Sequence, residues 1–122
     1  MGEIMKPSEV LRAARELISV PERWTQGAFA RAANGNPIGC LTDNATCFCS
    51  SGAILRGAPN CYDHIRAAAF DTLEWAMGVR QDSDENIATF NDAEGRTHAE
   101  VLERFDRAIA RAEQSEAPKA SS

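Results

Sequence analysis

Asp43-Asn44-Ala45-Thr46-Cys47-Phe48-Cys49-Ser50-Ser51-Gly52-Ala53-Ile54-Leu55-Arg56 is the stretch on which the fold class turns. Thr46 to Cys49 has some strand character. Ala45, Phe48, Cys49, Gly52 and Leu55, however, recur at helical spacing and make one apolar face, which favours a helix over 43–56. Gly52 costs such a helix about 1 kcal/mol relative to Ala, so its presence predicts close approach of another backbone.

The flanking segments point the same way. Upstream, Val10, Leu11, Ala14, Leu17 and Ile18 form one apolar stripe, predicting a helix over 8–19 capped by Ser8 and stopped by Pro21. Trp24 to Ala32 reads as a short helix capped by Thr25, and Asn34 to Gly39 is a loop dense in turn formers. Downstream, Tyr62, Ile65, Ala69, Leu73, Ala76 and Met77 line a helix over 61–78, with Gly78 at its C-cap. Ile87 to Phe90 is a short apolar piece of undetermined type. Thr97-His98-Ala99-Glu100 is a capping box, in which hydroxyl and carboxylate each satisfy an orphan backbone donor. Val101, Leu102, Phe105, Ala108, Ile109 and Ala112 continue it as a helix over 97–113, with Glu100–Arg104 and Glu103–Arg107 spaced to pair outside.

The expectation is therefore an all-α, single compact domain of about five helices, its core made by the 8–19, 61–78 and 97–113 helices. Residues 1–7 form an N-terminal extension, 8–113 the helical domain and 114–122 a flexible C-terminal tail.

Composition narrows the function classes. The chain has 122 residues, 43% hydrophobic and 25% charged, the balance of a globular domain rather than a collagenous, disulfide-scaffold or disordered one. No stretch approaches the roughly 20 apolar residues of a membrane helix, and Met1 to Lys6 lacks the pattern of a secretory signal. Four cysteines without an export signal point to the cytoplasm. The net charge is −5, which weighs against a broad phosphate-binding face and so against nucleic acid as a partner. Acidic residues concentrate in the second half, at Asp82, Asp84, Glu85, Asp92 and Glu94, a pattern typical of a solvated loop.

Three constellations could carry chemistry. The cysteines are spaced C-x6-C-x-C-x11-C, without a C-x-x-C knuckle, and on a helix Cys47 and Cys49 would point about 200° apart. Cys61 and His64, at i and i+3, are the better pair for a metal or a thiolate enzyme, against the plainer reading of a buried hydrophobe and a surface imidazole. No oxyanion hole or orienting partner is recognisable, so the chain does not read as an enzyme and no cofactor is expected. Arg104, Arg107 and Arg111 could touch nucleic acid from the last helix, but Glu103 and Asp106 interrupt them.

The polar segments beginning at Trp24 and at Asn91 are the most informative. An indole beside an amide and a hydroxyl can line a small pocket, although such a Trp also closes core edges. Asn91, Asp92 and Gly95 favour turns, and Thr97 is already occupied as a cap. If the segments converge, Trp24, Gln26, Arg31, Asn91, Asp92 and Arg96 line one ligand site. The resulting expectation is a non-enzymatic binding or interaction domain that self-associates, with a protein or small molecule as its partner.

Pro21-Glu22-Arg23-Trp24-Thr25-Gln26-Gly27-Ala28, Ala45 to Ile54, and Asn91-Asp92 with Arg96 to Leu102 also occur together in this order. As a set, spanning roughly residues 8–112, they resemble an uncharacterised family of short bacterial and bacteriophage proteins. Where that family often has Trp before Asn-Asp, this chain has Phe90, which keeps the aromatic but loses an N–H donor. The resemblance implies a single cytoplasmic domain of the kind borne by phages or mobile elements. It implies no activity, cofactor or catalytic residue.

Overall fold

A computed structural model describes residues 5–80 and 83–117. Asp82 of the acidic run, part of the N-terminal extension and the end of the C-terminal tail lie outside the described residues. The chain runs α1 (Pro7–Leu17), a 3-10 turn (Pro21–Arg23), β1 (Ala30–Ala32), β2 (Pro37–Ile38), β3 (Ala45–Phe48), α2 (Ser50–Gly57), α3 (Asp63–Met77), α4 (Ile87–Asn91) and α5 (His98–Glu116).

The fold is mixed α/β, not all-α. Among the described residues, five α-helices are joined by a three-stranded antiparallel sheet of order β2-β1-β3. Ala30 faces Ile38 on one side and Phe48 on the other, and the register shifts between Arg31 and Ala32. The expected helix over 43–56 is thus two elements. Residues 45–48 pair with β1, and α2 starts only at Ser50, where the Cys49 Sγ accepts the Gly52 N–H at 3.3 Å. The expected helix after Thr25 is not formed either: its last three residues are β1, and the Thr25 hydroxyl accepts from Arg31 Nε at 3.0 Å. The loop over 34–39 contains the hairpin turn, where Asn34 Oδ1 accepts the Asn36 N–H at 3.0 Å, and β2 itself.

Close approach at Gly52 is realised. A Cβ there would lie 2.1 Å from the Phe29 carbonyl oxygen, which accepts the Cys49 N–H at 3.1 Å. The helix thereby sits directly on the strand segment that precedes β1.

The three long helices pack on one another, with α2 against α1. Val10, Leu11, Ala14, Leu73, Val101, Phe105 and Ala108 are fully buried between them, and Phe48 and Ile54 continue this core under the sheet. Burial of each such aliphatic or aromatic side chain contributes about 1.5–3 kcal/mol. Helix ends follow local chemistry. Gly78 closes α3 in the left-handed conformation, φ 70°, and Thr97 and Glu100 form the capping box of α5. Ser8 lies inside α1 rather than capping it, and its N–H donates to the Glu116 carboxylate at 3.0 Å. That contact holds the end of α5, which runs past 113 to Glu116, against the start of α1. On the outer face of α5 Glu103 pairs with Arg107 as its spacing predicts, whereas Glu100 pairs backward with Arg96 instead of Arg104. No helix among the described residues is long and apolar enough to cross a membrane.

Candidate functional site

The site is built from chain ends that need hydrogen-bond partners. A helix leaves its first four N–H groups without intrahelical acceptors. At the start of α2, Cys49 takes the Gly52 N–H, and the Ser50 N–H is taken from outside by Asn91, the last residue of α4. Asn91 Oδ1 accepts from Ser50 N at 3.0 Å, from Ser50 Oγ at 2.7 Å and from Trp24 Nε1 at 2.8 Å. Its Nδ2 donates to the Thr25 carbonyl at 3.1 Å and to Asp92 Oδ1 at 2.8 Å. Asn91 is fully buried, so this saturation is what permits a carboxamide in the interior.

The two polar segments are stitched residue by residue. Gln26 Nε2 donates to the carbonyls of Asn91 (2.9 Å) and Ala93 (3.2 Å), and the Gly27 N–H donates to Asp92 Oδ1 at 3.0 Å. Thr25 is in turn pinned to the sheet through its N–H and the Phe48 carbonyl, 3.0 Å. The structure therefore brings Trp24, Gln26, Asn91 and Asp92 into direct contact. Arg31 joins indirectly, donating to the Gln26 carbonyl and, across the hairpin, to the Gly35 carbonyl, both at 3.0 Å. Arg96 stacks on the Phe90 ring at 3.6 Å and donates through Nε to the Phe90 carbonyl at 2.8 Å. These donors serve neighbouring groups of the protein: Trp24, Gln26, Arg31, Asn91 and Asp92 make one hydrogen-bonded knot, which Arg96 reaches through Phe90. His98 closes its far side, with Nε2 2.6 Å from the Ile18 carbonyl and its ring 6.0 Å from that of Trp24.

Beside the knot lies a groove of about 530 Å³. Phe29, Leu55, Phe70 and Ile87 give it an apolar floor, and Asp92 and Glu74 are also among its lining residues. Asp92 is the one expected site residue that reaches it. The floor was not anticipated. A signal for it exists in α3, where Phe70 falls off the core stripe and Glu74 follows at i+4, on the same side. Phe29 is 56% exposed and also borders a second depression lined by Pro37, Ile38 and Cys40.

The other constellations are placed as follows. Cys61 is buried, whereas His64 is exposed and stacks on Tyr62, ring centroids 5.8 Å apart. Among the described residues no group of three or more His, Cys, Asp or Glu is placed to hold a metal ion. A thiol at a helix N-terminus is usually acidified. Burial overrides this at Cys49 and pushes its pKa up, against the opposing hydrogen bond from the Gly52 N–H; burial raises Cys40 as well. On α5, Arg104 donates to the Ala76 carbonyl at 2.9 Å, Arg107 pairs with Glu103, and Arg111 lies over the Trp75 ring at 4.2 Å. All three cations are engaged within the protein.

No curated protein and no solved structure matches the chain. The sequence segments that tie the knot and cap α5 fall inside the match to one family model, which covers residues 4–111. By that match the chain belongs to DUF6197, a family of unknown function.

Proposed function

We propose that the protein is a non-enzymatic binding domain whose ligand occupies the groove beside the Trp24–Asn91 knot. The observation that carries this reading is the double membership of Asp92. Its Oδ1 is held from inside by Gly27 and Asn91, while the residue itself is exposed at the groove's edge. Trp24, Gln26, Arg31, Asn91 and Arg96 then act as the frame that positions the sixth site residue, Asp92. The groove volume falls in the range of small-molecule sites, which are mostly apolar with a few fixed polar groups.

Self-association belongs to the same reading, supported by Phe29 and Leu41, which are 56% and 60% exposed. The four free thiols support a reducing, cytoplasmic setting, and the resemblance to short bacterial and bacteriophage proteins supports bacterial or phage carriage.

The test is an NMR screen of the labelled protein against a small-molecule fragment library, with light scattering over a concentration series. Shifts clustered at Phe29, Leu55, Phe70 and Asp92 are expected. Hits that avoid these residues remove the groove as the site. A monomer at the highest concentration removes self-association.

A further inference from the structure

We infer that the groove selects a small organic cation, an ammonium group carried on an apolar or aromatic body. This inference rests on the groove being the binding site and adds the class of ligand.

The groove lining carries charge of one sign, and the Arg31 guanidinium beside Gly27 is engaged by the Thr25 hydroxyl and the Gln26 and Gly35 carbonyls. Among the described residues the lining includes two acidic ones, Asp92 and Glu74, and no Lys or Arg. Neither carboxylate enters an ion pair among the described residues, although Asp63, Glu85, Glu100, Glu103, Asp106 and Glu113 all do. An anion entering the groove meets two like charges. A neutral apolar body strips water from carboxylates and returns nothing to them. A cation answers both, and attraction over an apolar floor is screened less than in bulk water.

The geometry suits the body of such a ligand as well as its charge. Phe29 and Phe70 line the same groove as Asp92 and Glu74, and a cation held against an aromatic face gains further. Asp92 needs no rearrangement to receive it. Donors at 3.0 Å (Gly27 N) and 2.8 Å (Asn91 Nδ2) already fix Oδ1, so the carboxylate is oriented before a ligand arrives. The net charge of −5 favours approach of cations over anions at long range.

The experiment compares 3-phenylpropylammonium, 3-phenylpropan-1-ol and 3-phenylpropionate, near-isosteres differing in charge, titrated into the full chain and read by NMR at the groove residues. The cation should bind about tenfold more tightly than the alcohol, with the carboxylate weakest. Asp92→Asn keeps an oxygen for Gly27 and Asn91, and Glu74→Gln removes a charge that enters no ion pair among the described residues. Each should weaken the cation about fivefold and leave the alcohol unchanged, and Glu74→Gln should do so at an unaltered melting temperature. Should Asp92→Asn fail to fold, Glu74→Gln alone decides. Equal binding of cation and alcohol overturns the charge selectivity while the groove reading stands. If none of the three perturbs groove residues, both readings fall. Exclusion of all three as protein concentration rises would make a second copy the occupant, and would also overturn the inference.

Discussion

The Trp24 indole donates its N–H to Asn91 Oδ1 across 2.8 Å, joining residues 67 positions apart. The same oxygen receives both donors of Ser50, at the start of α2. One carboxamide thus fixes three segments: the chain entering the sheet, the helix leaving it and the end of α4. Only Asn or Gln carries an acceptor and two donors on one planar group, and the short side chain of Asn suits a residue at the end of a five-residue helix.

Replacing Asn91 with Ala should destabilise the protein by about 3 kcal/mol or more, because three donors lose their acceptor in a buried place. Asn91→Asp should be nearly as damaging. It keeps the acceptor but buries a charge and sets an oxygen against the Thr25 carbonyl and the Asp92 carboxylate. Trp24→Phe leaves the two Ser50 donors in place and should cost about 1 kcal/mol from the lost hydrogen bond. Urea denaturation of the three variants gives the ranking, and a cost below about 1 kcal/mol for Asn91→Ala would show that the knot does not hold the segments together.

Gly52→Ala is expected to cost about 3 kcal/mol or more, although Ala is the better helix former. Its Cβ would sit 2.1 Å from the Phe29 oxygen and 2.9 Å from the Phe29 carbonyl carbon. Backbone on the other side cannot rotate away as a side chain would, so α2 or the strand entry must shift. The shift should appear as large amide chemical-shift changes at Phe29 and Cys49, whose N–H bonds the same carbonyl. A stabilised variant would mean that the two backbones are not in contact.

The long helices were legible because their information is local. The stripe from Val10 to Ile18 and the Thr97–Glu100 box each lie within a few turns, and both α1 and α5 follow them. The sheet was not legible. Ala-Arg-Ala and Pro-Ile carry little β-propensity, and β1 exists because Ala30 meets Phe48 and Ile38 from other parts of the chain. In 45–56 a four-residue strand runs into a helix whose Gly52 and Leu55 happen to extend the spacing of Ala45, Phe48 and Cys49, so the helical period continues through a strand by coincidence. Gly52 did report a neighbouring backbone, without saying which. The Trp24 and Asn91 segments stand out in the sequence as its most informative polar stretches, and the structure brings them together. Their convergence alone did not point to the apolar floor, because Phe29 and Leu55 lie outside both motifs.

Acid should weaken the start of α5 through Glu100. The backbone N–H of Thr97 and then its hydroxyl bond this carboxylate, at 2.9 and 3.0 Å, and hold its pKa below the ordinary carboxylate value. A depressed folded pKa contributes stability above the unfolded value and loses it as pH falls through the folded one. Between about pH 5 and pH 3 the melting temperature of the wild type should therefore drop more steeply than that of Glu100→Gln. Thr97→Ala, which removes the hydroxyl from the cap, should cost about 1 kcal/mol at neutral pH. Parallel slopes for wild type and Glu100→Gln would show that the carboxylate does not titrate with folding.

The thiols separate the binding reading from one in which a cysteine acts as nucleophile. Cys40, Cys49 and Cys61 are buried, and Cys47 is the one that is partly exposed. Burial raises the pKa of Cys49 and of Cys40, so near neutral pH both remain protonated and poorly nucleophilic. Timed alkylation with iodoacetamide, followed by mass spectrometry, should label Cys47 first. The other three should react only as fast as the protein opens, and urea should abolish the difference. Cys49 needs particular scrutiny, since it caps α2 and borders the groove. Labelling there faster than at Cys47 would mean that the helix terminus outweighs burial, and would reopen the groove as a site of covalent chemistry.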